Sequence, residues 1–170
     1  MKEVEVIHLV WKEYDWDENV YNKFNGKEDY GIYQIYGDHP IYGYNTLLYI
    51  GKARGNTYSQ RLNNHYDFYV DKIPKFRKLH LSYFCENVDV NKENWNSKID
   101  LVEKLLINSH FPAYNSQDIK NVLAKENFEK ELLVLNWFER GKLLPEVSSL
   151  RTSRYYWDNE PDFFKKILTI

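Results

Sequence analysis

Apolar and polar residues alternate in several short runs in the first half of the chain. Residues 31–37, 46–52 and 78–85 are rich in Ile, Tyr and Leu, and turn-forming residues flank them, so the pattern predicts three strands. Gly, Asp, Pro and Asn are concentrated between the first two runs. This predicts an antiparallel hairpin with a long loop over residues 38–46.

Two later segments have the residue spacing of helices. Thr57 or Ser59 is suited to begin a helix that carries Arg61 and His65 on the same face. A longer helix is predicted from about residue 96 to Pro112, because apolar residues recur along one of its faces. These apolar residues are Ile99, Val102, Leu106 and Ile107.

The two ends of the chain are predicted to add to this core. Residues 1–27 are rich in Trp, Tyr and acidic residues, and we expect them to pack on the core as an extension. Apolar spacing predicts a helix over 118–140, with a possible break at 125–127, and Gly141 is suited to end it. A further helix is predicted after Pro161.

These elements predict a single domain of the α/β (α+β) class. Its centre would be a small, mainly antiparallel three-stranded sheet flanked by helices, and residues 118–170 would add extra C-terminal helices. The length of 170 residues and the hydrophobic content of 43% suit one packed domain.

Cysteine content and hydropathy narrow the class of protein further. Cys85 is the only cysteine, so the chain has no internal disulfide and no cysteine metal cluster. The N-terminus has no apolar signal region, and no uninterrupted apolar stretch is long enough to cross a bilayer. We therefore expect a cytoplasmic protein with no membrane partner.

The charge of the chain is unevenly distributed. The formal net charge is −2, yet residues 52–80 contain seven Lys or Arg and only two Asp. A basic segment in an acidic protein is typical of a polyanion site confined to one face, and Lys75, Arg77 and Lys78 are its candidate substrate-binding residues. The alternative interpretation is a solvated loop that happens to be rich in lysine.

Glu103 is the most informative single residue. It shares the apolar face of the predicted helix, and no Lys or Arg lies three or four residues away to pair with it. A carboxylate on a buried face needs a partner, because leaving it bare costs several kcal/mol. It could form an ion pair with Arg61 or Lys52, or bind a divalent metal ion, which takes oxygen ligands. We favour the metal ion because of the residues that accompany Glu103.

Several of these residues can contribute to phosphate chemistry. Arg61 can bind two phosphate oxygens, and His65, one helical turn later, can transfer a proton near neutral pH. Tyr33 and Tyr49 are phenols whose pKa nearby positive charge would lower. Each also has a plainer interpretation. Arg61 and His65 suit a solvated helix face, the tyrosines suit core packing, and Asn115 suits a turn or a contact that holds the helix end against the sheet.

The order of these elements resembles that of the GIY-YIG nuclease family. The corresponding segments are Gly31-Ile32-Tyr33, Tyr49-Ile50-Gly51 followed by Lys52-Ala53, the Arg61–His65 helix, the Glu103 helix and the closing Pro112–Asn115. The resemblance covers residues 28–117, and five linked elements make it more specific than any single motif. The segment between the two tripeptides is longer than in compact members of the family.

The resemblance implies a metal-dependent endonuclease that hydrolyses DNA phosphodiester bonds to 5′-phosphate and 3′-hydroxyl ends. It implies that Glu103 binds one Mg²⁺ or Mn²⁺ ion, and that the tyrosine of the first motif, or else the second tyrosine or His65, acts as general base. Arg61 and Lys52 would neutralise charge in the transition state. Asn115 would help to bind the substrate.

Three other functions are compatible with the same residues. The chain could be a catalytically silent nucleic-acid-binding module of this fold, or a structure-specific nuclease that acts on RNA or branched DNA. An aromatic, acidic N-terminus would also suit a structural or partner-binding protein. We expect a monomer or a homodimer. Because no zinc-ligand cysteine set or helix-turn-helix signature is present, any specificity would come from the 38–46 loop, the chain ends or dimerisation.

Overall fold

The structure is a computed structural model that describes residues 3–16, 30–63, 78–85, 93–115 and 131–149, apart from the side chains of residues 93 and 94. These residues form one six-stranded sheet and two helices. The strands are β1 (Val4–Asp15), β2 (Gly31–His39), β3 (Gly43–Ala53), β4 (Lys78–Phe84), β5 (Glu131–Phe138) and β6 (Glu146–Ser148). The helices are α1, described over residues 58–63, and α2 (Glu93–His110).

The strands lie in the order β3-β2-β4-β1-β5-β6. β1 and β5 are parallel, and every other neighbouring pair is antiparallel. The three strands predicted from alternation are confirmed as β2, β3 and β4, and they are neighbours. The predicted fold class is nevertheless wrong, because these strands form half of a mixed six-stranded sheet rather than a small three-stranded antiparallel sheet flanked by helices.

β1 lies in the middle of this sheet, between β4 and β5. Ile7, Leu9 and Trp11 alternate along it and are almost completely buried. Residues 4–15 are therefore an integral strand, although their aromatic and acidic composition indicated an extension packed on the core. Val6 and Val10 are apolar residues on the less buried face, and they obscure the two-residue period that is typical of a strand.

β5 corrects the prediction of a C-terminal helix over 118–140. Residues 132–135 are apolar at every position, and such a run fits a buried strand as well as a helix. Pairing with β1, with Ile7 opposite Val134, gives this segment strand conformation. Gly141 follows a strand, not a helix, and has a positive φ of 60°. Residues 116–130 and the helix predicted after Pro161 lie outside the described residues.

Both helices predicted for the middle of the chain are confirmed in the described residues. At the start of α1, Gln60 N donates to Thr57 Oγ1 (3.3 Å) and Thr57 N donates to Gln60 Oε1 (3.2 Å). This reciprocal capping box agrees with Thr57 as the first candidate cap. α2 begins a few residues before the predicted start and ends at His110. Within the described ranges, neither helix is long and apolar enough to cross a lipid bilayer.

The β2–β3 hairpin is confirmed, but its loop is short. Most of the predicted 38–46 loop is strand, and only residues 40–42 form the turn. His39 organises this turn, because its Nδ1 accepts from the backbone N–H groups of Ile41 (3.1 Å) and Tyr42 (3.2 Å).

The helices divide the buried residues between the two faces of the sheet. We call these the α2 face and the α1 face. The core of the α2 face includes Ile7, Leu9, Trp11, Ile32, Tyr36, Ile99, Val102 and Leu106. The core of the α1 face includes Tyr33, Ile35, Leu48, Tyr58, Leu62, Leu79 and Leu81.

Tyr36 fastens the β5–β6 loop to the α2 face. Its hydroxyl donates to Gln34 Oε1 (2.7 Å) and accepts from Lys142 N (2.8 Å). A side chain at Gly141 would collide with the same hydroxyl, so only glycine leaves it room. Burial raises the pKa of Tyr36 to about 12, against the lowering effect of the hydrogen bond from Lys142.

Tyr36→Phe should therefore change both stability and its pH dependence. Near neutral pH the variant should lose about 1–3 kcal/mol, because the buried Gln34 Oε1 and the partly buried Lys142 N–H both lose their partner. In wild type the unfolded tyrosine ionises at about 10 and the folded one at about 12, so stability falls as pH rises through that window. The variant lacks this loss, so the gap should narrow above pH 10 in urea unfolding. Tyr44→Phe, at an exposed site, should leave the profile unchanged, and a constant gap would contradict the pKa assignment.

Candidate active site

The candidate residues lie where β2 pairs with the edge strand β3. Tyr33 is opposite Gly51, and Ile32 is opposite Lys52. Since side chains alternate along a strand, Tyr33 lies on the α1 face and Lys52 on the α2 face. The tripeptides of residues 31–33 and 49–51 are thus paired side by side, and the candidate side chains Tyr33 and Lys52 lie on opposite faces of the same sheet edge.

Gly51 gives the Tyr33 ring room to lie across β3. A Cβ at residue 51 would be 2.5 Å from both Cζ and the hydroxyl oxygen of Tyr33, and 2.6 Å from Cε1 of Tyr49. The centroids of the two tyrosine rings are 6.0 Å apart. Packing therefore explains why residue 51 is a glycine, because the rings of Tyr33 and Tyr49 occupy the space that a side chain would need.

Tyr58 of α1 packs against the Tyr33 ring on the α1 face of the sheet. Its ring meets that of Tyr33 edge to face, with centroids 6.3 Å apart. Its hydroxyl lies 3.0 Å from Ile32 O and 2.8 Å from Ser82 O, and so joins β2 to β4. Burial raises the pKa of Tyr58 well above its usual value, so this phenol stays neutral and acts as a hydrogen-bond donor. A side chain at Gly31 would collide with it.

On the α2 face, four charged side chains form a continuous ion-pair network. Lys52 Nζ lies 2.5 Å from Glu103 Oε2 and 3.0 Å from Asp100 Oδ1. Arg54 binds the other carboxylate oxygen of Asp100. Burial alone would lower the pKa of Lys52, but hydrogen bonds and charge from Glu103 and Asp100 together raise it. The network joins the end of β3 to the middle of α2.

The environment of Glu103 bears on both interpretations of that residue. Its side chain is 12% exposed, and the ion pair with Lys52 is confirmed. Over the residues that the structure describes, no group of three or more His, Cys, Asp or Glu is arranged to hold a metal ion. Asp100 is one helical turn before Glu103, so two carboxylates, rather than one, converge on Lys52.

Arg61 lies on α1, on the opposite face from this network. Tyr58 and Leu62 are fully buried and anchor α1 against the sheet. The Nε atom of Arg61 is buried and has no hydrogen-bond partner within the described part of the chain. A buried guanidinium nitrogen of this kind suits an anion that the side chain would bind.

Asn115 holds the chain after α2 against β3. Its Oδ1 accepts from Ile50 N (2.9 Å) and its Nδ2 donates to Ile50 O (2.8 Å). Just before it, Tyr114 N donates to Leu48 O (2.8 Å). Both amide atoms thus bind backbone, and Asn115 positions β3 as one interpretation of the sequence expected.

The remaining predicted site residues are not brought to this edge by the described structure. Lys78 lies opposite Tyr36 on the other side of β2 and binds Glu13, whose hydrogen bond and charge raise the pKa of Lys78. His65, Lys75 and Arg77 lie outside the described residues.

Asp100, Arg54 and Tyr58 contribute to the site but were not singled out from the sequence. Asp100 and Glu103 are acids one helical turn apart, a spacing that calls for a shared cation. Lys52 and Arg54 are two residues apart, a spacing that places two bases on one side of an extended segment. Tyr58 carried no comparable sequence signal, because the chain has fifteen tyrosines.

Comparisons with models of protein families, with curated proteins and with solved structures found no match. Any functional assignment of this chain therefore rests on its motifs and on the geometry of the sheet edge.

Gly51→Ala should destabilise the protein by about 1–3 kcal/mol, because the new Cβ collides with the tyrosine rings and the core cannot widen freely. Urea unfolding of a double-mutant cycle with Tyr33→Leu would measure the effect. The alanine should cost less when the Tyr33 ring is absent, and strictly additive losses would show that the ring does not determine the need for glycine.

Proposed function

We propose that this chain is a metal-dependent endonuclease of the GIY-YIG type, which hydrolyses DNA phosphodiester bonds at the edge formed by β2 and β3. The observation that carries the proposal is the position of Gly51. It lies beneath the ring of Tyr33 and immediately precedes Lys52, which is bound to the helix carboxylate Glu103. The phenol thus lies on one face of the paired tripeptides, and the ammonium with its carboxylate lies on the other face, one residue along β3.

The positive charges of the site support phosphate binding. Lys52 is 27% exposed and already held at the sheet edge by two carboxylates. Arg61 approaches from the other face, and its planar fork can contact two phosphoryl oxygens. Together they would neutralise the charge that develops on the phosphorane-like transition state.

Tyr33 is the residue that we assign to the attacking water. Its ring is fixed by Tyr58 and by the absence of a side chain at Gly51, so its orientation is set before substrate binds. The phenolate is the form that accepts a proton, and Arg61, on the same face of the sheet, is the residue that would favour it. Tyr49 would complete the hydrogen-bonding environment of the water.

Glu103 is the proposed metal ligand, with Asp100 as a second oxygen donor one turn away. Carboxylate oxygens suit Mg²⁺ or Mn²⁺, and the ammonium of Lys52 already lies between the two side chains, which indicates that this position attracts a cation. When bound, one such ion would polarise the scissile phosphate and stabilise the leaving oxygen.

A catalytically silent nucleic-acid-binding module is the second candidate. Lys52 neutralises Glu103 in the present arrangement, and a purely structural ion pair would have the same geometry. The two functions are separated by incubating purified protein with plasmid, single-stranded DNA and RNA, in Mg²⁺, in Mn²⁺ and in EDTA. Metal-dependent cleavage that leaves 5′-phosphate and 3′-hydroxyl ends supports the nuclease. Binding to the same substrates without cleavage in any metal supports the module.

Glu103→Gln should abolish cleavage while leaving the fold and most DNA affinity intact. The amide keeps the shape of the side chain but is a poor ligand for Mg²⁺. Glu13→Gln removes the carboxylate of another lysine pair on the same sheet and is the matched control, because Glu13 binds Lys78 away from the site. Cleavage by both variants at the wild-type rate would refute the role of Glu103.

Arg61→Lys distinguishes a role in the transition state from simple attraction of DNA. Lysine keeps the charge but loses the bidentate fork, so the cleavage rate should fall about a hundredfold or more while DNA affinity drops modestly. Single-turnover cleavage and anisotropy binding would measure the two quantities separately. Arg140→Lys is the control for the substitution itself, since Arg140 lies in the β5–β6 loop and donates to Leu143 O. An unchanged rate in Arg61→Lys would reduce Arg61 to a surface charge.

A further inference from the structure

A concave surface lies between the β2–β3 turn and the end of α2. It encloses a cavity of about 300 Å³ that is open to solvent. The cavity is separate from the ion-pair network described above, and it shares none of its residues. Its lining residues are Tyr42, Thr46, Leu47, His110, Phe111, Ala113 and Lys142. We call this surface the hairpin cleft.

Two aromatic rings at the hairpin cleft are exposed to water. Tyr42 is 67% exposed and Phe111 is 63% exposed. Tyr42 is held in place, because its ring stacks on His39 with centroids 4.6 Å apart and its backbone N–H donates to the same imidazole. Thr46 adds a hydrogen bond to Tyr42 O (3.3 Å). The cleft thus presents a preformed aromatic surface rather than a collapsed one.

Phe111 is exposed at a strained backbone position. It follows the last residue of α2 with a φ of 48°, in the left-handed region where glycine normally ends a helix. Its N–H donates to Ile107 O (2.9 Å), so the conformation belongs to the helix cap. A phenylalanine there combines backbone strain with an apolar side chain in water, and neither favours folding.

The charge of the hairpin cleft is positive. Among the described residues that line it, Lys142 is the one charged side chain, and none is a carboxylate. His110 is neutral, because its Nδ1 donates to Leu106 O (2.8 Å) and its Nε2 accepts from Leu144 N (2.9 Å). Burial also lowers the pKa of His110.

We propose that the hairpin cleft binds an unpaired nucleobase of a single-stranded nucleic acid, stacked on Tyr42 or Phe111, with the adjoining phosphate on Lys142. Exposed aromatic rings beside a cation, with no acidic side chain among the described residues that line the cleft, match the planar base and anionic backbone of such a strand. This inference rests on the proposed function, because it names the form of substrate that the nuclease would hold.

The position of the cleft fits a strand that reaches the candidate active site. Leu47 lines the cleft and precedes Gly51 by four residues of β3, a rise of about 13 Å. On α2, His110 follows Glu103 by seven residues, a rise of about 10 Å. Stacked nucleotides advance about 3.4 Å each, so roughly three or four of them span this distance.

Binding of a short fluorescein-labelled oligothymidylate, followed by anisotropy in EDTA, tests the inference without cleavage. Tyr42→Ala should weaken binding by about tenfold, the scale for losing one base–aromatic stack. Tyr44→Ala is the matched control, because Tyr44 is an 87% exposed tyrosine of the same hairpin that does not line the cleft. Equal affinities for the two variants would overturn the proposal.

Phe111→Gly gives a sharper test, because stability and binding should change in opposite directions. The variant should unfold at higher urea concentration, since glycine relieves the positive φ, yet bind the oligothymidylate about tenfold more weakly. Phe138→Gly is the control, because Phe138 has a φ of 61° and is 78% exposed, but does not line the cleft. It should gain stability without losing affinity. A Phe111→Gly variant that keeps full affinity would remove Phe111 from the site.

Lys142→Met should reduce the salt dependence of the same binding. The slope of log affinity against log salt should become smaller in magnitude by about one, whereas Lys12→Met should leave it unchanged.

These binding results are independent of the nuclease assignment. If no substrate is cleaved but the cleft variants lose affinity, the nuclease fails and the cleft stands. If cleavage occurs and the cleft variants bind as wild type does, or if the cleft captures a peptide in preference to the oligonucleotide, the cleft proposal fails alone.

Discussion

The contact between the Tyr33 ring and the backbone of Gly51 is the constraint on which the site depends. It requires a residue without a side chain at one position of an edge strand, and it fixes the pairing of β2 with β3 at that position. A shift of one residue would turn every side chain of β3 to the other face and bring a bulky neighbour under the ring. Tyr58, bonded to two strands at once, prevents the ring from moving away from that glycine.

β3 is an edge strand, and the outer backbone groups of such a strand are free to pair with another chain unless something covers them. Here the segment after α2 covers that edge. Tyr114 and Asn115 hydrogen-bond to the backbone of Leu48 and Ile50, and these contacts end one residue before Gly51. Within the described residues, the middle of this edge is thus paired with the segment after α2, and the candidate residues lie directly beyond these contacts.

Local signals allowed part of this structure to be predicted from the sequence. Alternation identified β2, β3 and β4, and the apolar stripe with its closing proline identified α2. β1 and β5 could not be found in this way, because each owes its conformation to the other across more than a hundred residues, and an apolar run such as residues 132–135 does not by itself distinguish strand from helix. The sheet was therefore predicted at half its size.

The candidate site shows the same division between local and long-range information. The sequence indicated that Glu103 needs a cation, and we favoured a metal ion over an ion pair with Lys52 or Arg61. In the structure Lys52 is bound to both Glu103 and Asp100, and Arg54 completes two positive and two negative charges. Because the network contains equal numbers of positive and negative side chains, its ion pairs can be exchanged without leaving a buried charge unpaired. If the proposed function holds, a divalent ion would bind the carboxylates of Glu103 and Asp100 while the substrate phosphate binds Lys52. Each ligand would free the group that the other one binds, so metal and substrate would favour each other's binding.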